Sequence, residues 1–292
     1  MTTQTNERSP YFPASAVYEH LTFTTKDIAT GSLILVNRQH PVQADLPAQE
    51  LIDINSQQSD LLSPHKGTFE NQPSFLKHPV EEIYLQKQAA TMLFSLIKRS
   101  GAGGQLTAVS GYRSYAEQVS IWEDTISRNG LSFAEKYVAA PGCSEHQSGL
   151  AIDLAKTAFS IDYICPSLPR EGILSAFLRL APQFGFILRY PEGKEQITQI
   201  GYEPWHFRYV GFPHSMIMMQ QNLVLEEYLE MLETETSPMK PLTYIQDGAR
   251  IDIIYLSMKN RQKIEADFSD VLPHTLSGTN KSGIVLTRFR RH

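Results

Sequence analysis

Two histidines, two acids and an arginine in this chain are spaced so that they can act together. Glu203 and His206 stand three residues apart in GYEPWHFRYVG, where Pro204 prevents regular helix between them. The order and the strand-like context differ from the helical HExxH arrangement of many zinc peptidases. Upstream, CSEHQSGLAIDLA carries His146 in a turn marked by Gly149, and Asp153 inside an apolar segment. Two imidazoles and one carboxylate form the open ligand set that a catalytic zinc favours, with a fourth position left for water. Glu203 is then placed to act as the base for the attacking water and later as the proton donor to a leaving amine.

Each residue also has a plainer reading. Alternation sets Asp153 opposite Leu150, Ile152 and Leu154, so by itself it is as readily a solvent-facing strand residue as a ligand. His206 alone suits a satisfied strand histidine, and Glu203 a surface acid. Jointly the four favour a metal site, because a carboxylate among apolar neighbours is costly to bury unless it is paired or bound to a metal. Arg113 adds a cation fixed by the turn before a helix, suited to the negative charge that develops on a carbonyl oxygen under attack. Ser144 and Gln118 are polar groups able to hold a substrate's terminal carboxylate, or to serve as an ordinary cap or surface residue. The other seven histidines, His20, His65, His78 and His214 among them, have no such partner pattern.

The elements that must position these residues are legible in part. EEIYLQKQAATMLFSLIKRSG spaces its apolar residues as a helix, and LTAVSGYR, Leu106 to Arg113, has the character of a buried strand leaving through a glycine turn. Ser114 and Glu117 form a capping box for the next helix, whose apolar residues are Tyr115, Val119, Trp122 and Ile126. ILSAFLRLAPQFG is a further helix, FILRYP and HFRYVG are strands, and PHSMIMMQQNLVLEEYLEMLE is a helix whose Met and Leu stripe is core packing. The first 80 residues form a wrapping, loop-rich segment with SLILVN, Ser32 to Asn37, as an early strand. Helices and strands interleave without a regular βαβ rhythm, which predicts an α+β fold. TETSPMKP has linker composition, and ARIDIIYLSM and GIVLTRF beyond it are the strands of a small β appendage.

Composition excludes several function classes. At 292 residues, with 41% hydrophobic and 20% charged, the chain is a globular protein with room for a sizeable core. A net charge of -5 offers no basic field for nucleic acid. Two cysteines, Cys143 and Cys165, cannot make a disulfide framework. No apolar run reaches the ~20 residues of a membrane helix, and MTTQTNERSP lacks the features of a secretion signal. The chain as written is therefore expected in the cytoplasm, or at the cell surface if an anchor precedes residue 1.

Four blocks occurring in order, SGYRSYAEQ, SEHQSGLAIDL, GFILRYP and EPWHFRYVG, resemble the signature of the VanY-type D-alanyl-D-alanine carboxypeptidases, within the wider LAS metallopeptidases. The resemblance covers about Ser32 to Glu233. It implies an antiparallel sheet flanked by helices, with one zinc ion at the concave face held by His146, Asp153 and His206. It further implies Glu203 as catalytic acid and base, Arg113 steadying substrate and oxyanion, and Gln118, Ser144 and Tyr190 lining the site for a C-terminal D-alanine. The substrate it implies is a peptidoglycan stem peptide ending in D-Ala. L,D-carboxypeptidase, D-Ala-D-Ala dipeptidase and stem-peptide endopeptidase activities share the resemblance, and a non-catalytic cell-wall peptide binding module is the competing class. The expected division is an N-terminal extension over 1–31, a catalytic domain over 32–235 and the appendage over 240–292, its role open.

Overall fold

Ala151–Lys156, the strand that carries Asp153, lies inside a four-stranded antiparallel sheet. Leu106–Ser110 flanks it on one side and His206–Tyr209 on the other, and Phe186–Leu188 closes the far edge. The structure is a computed structural model that describes residues 18–42, 44–57, 61–63, 67–73, 82–269 and 272–290. His65, His78 and the chain up to residue 17, named in the sequence reading, lie outside the described residues.

Period two along the central strand explains why it sits in the middle. Ile152 and Leu154 point to one face, where they join Leu106, Ala108, Phe207 and Tyr209 in the main hydrophobic cluster. Helix Lys87–Ser100 covers that face with Ala89, Leu93, Leu96 and Ile97, and helix Gly172–Leu180 adds Leu174 and Phe177. Each fully buried Leu, Ile or Phe contributes about 1.5–3 kcal/mol by leaving water. The opposite face carries Asp153, His206 and Arg208, and it too is closed, with Asp153 only 4% exposed. The solvent-facing reading of Asp153 therefore fails, because this sheet is buried on both sides.

Several elements differ from the sequence expectation. The Lys87–Ser100 helix begins after a short strand, Tyr84–Gln86, that pairs with Leu51–Asp53. Helix Tyr115–Asn129 has the expected capping box, but its buried stripe is Gln118, Ile121 and Thr125, and Tyr115 is exposed. SLILVN is not a strand: Leu33, Ile34, Leu35 and Val36 are buried, yet the carbonyls of Ser32 and Ile34 accept from the Arg208 guanidinium and Leu35 N–H donates to Thr279. The long Met-rich helix is two, His214–Gln221 and Leu225–Glu235, broken where Asn222 turns left-handed at φ 52°.

The C-terminal strands Leu242–Gln246, Ala249–Ser257, Gly283–Arg290 and His274–Gly278 form a second antiparallel sheet in that spatial order. Strand Tyr18–Thr24 pairs antiparallel with Lys263–Ser269 beside it. One hydrophobic cluster joins Ile251, Ile253 and Val285 of the C-terminal sheet to Leu33, Leu35, Ile187 and Val210 and to helix Leu225–Glu235. A continuous core thus runs from the four-stranded sheet that carries Asp153 into the C-terminal sheet. Among the described residues no helix is long and apolar enough to cross a membrane.

Candidate active site

Strand register brings the candidate ligands together. Asp153 stands directly opposite His206 across one strand pair and opposite Ser110 across the other. A shift of register between Ala108 and Ser110 is the bulge that advances Ser110 to this row, a device that re-aims side chains beside active sites. His146 arrives from a single buried 3-10 turn, Glu145–Ser148, which ends at Gly149 in the left-handed region, φ 64°. Its Nδ1 lies 2.7 Å from the carbonyl of Gly111, and a Cβ on Gly111 would come within 2.4 Å of the Tyr84 carbonyl. Glycine is therefore required where the backbone must approach so closely.

The donor atoms of His146, Asp153 and His206 all lie within 4.8 Å of one another. Asp153 Oδ2 is 3.1 Å from His146 Nε2, and its Oδ1 is 3.0 Å from His206 Nδ1. Burial, with Arg113 nearby, pushes His146 down to about 4. A carbonyl can only accept, so Nδ1 donates to Gly111 and the neutral ring turns its Nε2 lone pair toward a carboxylate oxygen. Two acceptors held in this way need a cation between them, and the set of two nitrogens and one carboxylate oxygen is that of a catalytic zinc. His206 shows the same demand. Although burial opposes it, Asp153 and Glu145 raise its proton affinity to about 9, so a proton takes the place that a metal would fill. Asp153, despite burial, is held far below the usual carboxylate range by His146 and His206.

Arg113 is anchored at three points, with Nε donating to Ser110 Oγ at 2.7 Å, Nη1 to Gln118 Oε1 at 3.2 Å and Nη2 to Asp153 Oδ2 at 3.0 Å. Five donors are available to a guanidinium, so two remain for a ligand. Gln118 lies behind Arg113 and spends its other end on the Ala139 carbonyl at 2.7 Å, which makes it a support for the arginine. Ser144 and Tyr190 line the pocket with Glu203 and Trp205. Tyr190 packs its ring on His206, with centroids 4.9 Å apart. Glu203 Oε2 is 3.6 Å from His206 Nδ1, and burial pushes its carboxyl up to about 8.

Sequence reasoning missed Glu145. Its Oε1 accepts from Arg189 Nε at 2.7 Å and from Arg208 Nη1 at 2.8 Å, and its Oε2 faces His206 Nε2 at 3.6 Å. Arg189 continues as a fork onto both oxygens of Glu226. Glu145 and both arginines are buried, and although burial would raise it, the two guanidiniums hold the Glu145 carboxyl well below its ordinary value. Such a partner behind a histidine fixes which ring nitrogen faces the metal. The signal in the sequence was thin: an acid next to His146 and arginines alternating with core residues. Elsewhere, His214 is satisfied by Tyr228 and Thr287, as a structural histidine, and Cys143 and Cys165 are unpaired.

An open-sided His, Asp, His cluster with a buried glutamic acid beside it, on an antiparallel sheet flanked by helices, defines a metal-dependent peptidase. Residues 82–212 match the family model of VanY, D-alanyl-D-alanine carboxypeptidase. The bifunctional D-Ala-D-Ala dipeptidase and D-Ala-D-Ala carboxypeptidase VanXYC of Enterococcus gallinarum is 39% identical over 203 residues, 69% of this chain and 95% of that protein. A D-alanyl-D-alanine carboxypeptidase of Enterococcus faecium is 29% identical over 270 residues, 92% of this chain and 78% of its own length. The crystal structure of the vancomycin resistance D,D-dipeptidase VanXYg, in complex with a D-Ala-D-Ala phosphinate analog, matches with TM-score 0.82 and 33% identity over 94% of this chain and 100% of that one. The chain belongs to the VanY family of D-alanyl-D-alanine carboxypeptidases. A match over 94% runs well into the C-terminal sheet, so the likeness reaches beyond the Ser32 to Glu233 span that the motifs marked.

Proposed function

We propose that this chain removes the C-terminal D-Ala from peptidoglycan stem peptides, with one zinc ion held by His146, Asp153 and His206. The observation that carries this reading is the placement of Glu203, a buried carboxyl, within 3.6 Å of His206 beside the cluster of His146, Asp153 and His206. When bound there, zinc would supply a Lewis acid and ease deprotonation of water. Glu203, as the carboxylate, takes the proton from the attacking water and hands it to the departing amine of D-alanine. Arg113, locked by Ser110, Gln118 and Asp153, holds its free N–H groups where the carbonyl oxygen gains charge, and so needs no reorganisation as the bond breaks. Tyr190 and Ser144 close the pocket around the terminal residue.

A second activity, hydrolysis of free D-Ala-D-Ala, is favoured by the likeness to VanXYC and to VanXYg, both named for that dipeptide. The test is to incubate the zinc-loaded protein with a pentapeptide ending in D-Ala-D-Ala, a tetrapeptide ending in one D-Ala, and the D-Ala-D-Ala dipeptide. Release of D-Ala from the pentapeptide supports the main reading, and release from the dipeptide supports the second. Release from the tetrapeptide alone would make the protein an L,D-carboxypeptidase, and no release from any would leave a binding module.

A further inference from the structure

Glu145 turns one carboxylate oxygen toward His206, and it is aimed by what bonds the other. Its Oε1 accepts from Arg189 Nε at 2.7 Å and from Arg208 Nη1 at 2.8 Å. Its Oε2 faces His206 Nε2 at 3.6 Å, and neither of these two buried atoms has a hydrogen-bond partner among the described residues. A shift of about 0.5 Å closes that gap to an ordinary N–H···O hydrogen bond. Where Glu145 sits therefore decides how the His206 ring is held, and the two arginines decide where Glu145 sits.

Both arginines are in turn held from outside the four-stranded sheet. Arg189 places Nη1 and Nη2 on the two oxygens of Glu226, at 2.9 and 2.6 Å, and Glu226 stands in the first turn of helix Leu225–Glu235. Arg208 places Nη2 on the carbonyls of Ser32 and Ile34, at 2.9 and 2.8 Å. That segment is fastened to the C-terminal sheet and its last turn: Leu33 N–H donates to Ser277 Oγ at 2.8 Å, Leu35 N–H to the Thr279 carbonyl at 3.0 Å, and Asn280 Nδ2 to the Leu35 carbonyl at 3.0 Å. Helix Leu225–Glu235 shares a hydrophobic cluster with the same sheet. Glu226, Ser32 and Ile34 all lie outside residues 82–212, the span of the family model. Two glutamates answer two arginines, and Glu145, Arg189 and Arg208 are 1% exposed or less. A guanidinium buried so deeply must move or stay unsatisfied once it loses an acceptor.

We infer that Glu226 is a positioning residue for the candidate metal ligand His206, acting through Arg189 and Glu145, and that the C-terminal sheet with helix Leu225–Glu235 is the scaffold that holds this chain of ion pairs in place. The inference rests on the proposed zinc site. It gives the C-terminal sheet a part in the chemistry although none of its residues lines the catalytic pocket.

The test starts from Glu226→Gln, which keeps the size of the side chain and removes its charge and one acceptor oxygen. The Glu226 side chain is 15% exposed, the most accessible of the four, so this is the substitution the fold tolerates best. Zinc titration of the metal-free protein against a chromophoric chelator should show affinity lowered by about three- to ten-fold, less than the ~10–100-fold of a group directly behind a ligand. The visible absorption of the cobalt(II) form should change with it. Glu233→Gln is the control, since Glu233 lies on the same helix but pairs with Lys259 and Ser282; it should leave zinc affinity and the cobalt spectrum as in the parent. In a Glu145→Gln background the change at Glu226 should have no further effect, because the path to His206 is already cut, whereas independent losses add. Should Glu145→Gln fail to fold, the comparison of Glu226→Gln with Glu233→Gln decides. Unchanged zinc affinity in Glu226→Gln, an equal loss in Glu233→Gln, or additive losses would overturn the positioning role while the zinc site stands. A parent protein that binds no zinc would overturn the site and the inference together.

Discussion

Asp153 and His206 face each other as directly paired residues of neighbouring antiparallel strands, and Asp153 Oδ1 lies 3.0 Å from His206 Nδ1 as a result. The same carboxylate reaches His146 and Arg113 through its other oxygen. One side chain thus bridges both histidines and the arginine, so its loss has a compound effect.

Asp153→Ala should abolish zinc binding and activity together. Elemental analysis after mild purification should find stoichiometric zinc in the parent protein and essentially none in the variant. A variant that kept both zinc and D-Ala release would refute the ligand assignment.

Glu203→Gln should separate metal binding from chemistry. The amide keeps the shape but cannot carry the proton, so zinc content should hold while kcat falls by ~10²–10⁴-fold, the usual worth of a positioned acid or base. Single-turnover rates on the pentapeptide provide the measurement.

Glu145→Ala removes the carboxylate that Arg189 and Arg208 share, and both arginines are 1% exposed or less. Stranding buried charge in this way costs about 3–5 kcal/mol, and a lost partner behind a ligand histidine lowers metal affinity by ~10–100-fold. Urea denaturation of the metal-free protein and zinc titration read the two effects separately.

The buried His214 should make the fold acid-sensitive. Burial holds it down at about 3, so the native state keeps it neutral while the unfolded chain protonates it near 6.5. Between those values the unfolded state binds the extra proton, and stability falls by about 1.4 kcal/mol per unit as pH drops below 6.5, being fully present above it. Thermal melts from pH 7 to pH 5 should show at least this slope, and His214→Gln should reduce it by about that amount at some cost in stability at pH 7, since the ring bonds Tyr228 and Thr287.

The candidate site residues were legible in the sequence because they occur in short blocks whose local chemistry is unusual: a proline between Glu203 and His206, an aspartate in an apolar run, an arginine before a capping box. The α+β character was likewise visible as interleaved helix and strand periodicity, whereas the antiparallel sheet flanked by helices was implied by the family resemblance. Strand SLILVN was misread because period and apolarity report burial, whereas a ladder needs a partner strand; here Arg208 and Thr279 satisfy the backbone instead.

What the sequence by itself determined is the set of groups able to hold a metal and move a proton, since that depends on residue type and local order. Tertiary structure alone decided the rest. Glu145 looks like any surface acid until residues 44 and 63 positions away close over it as Arg189 and Arg208. Gln118 looks like a free polar group until Arg113 donates to its oxygen and its amide donates to the Ala139 carbonyl. The C-terminal sheet looks like an appendage until Asn280 grips the turn beside the active site. In each case the physical reason is the same: burial and pairing of polar groups are set by contacts distant in sequence, and no local pattern records them.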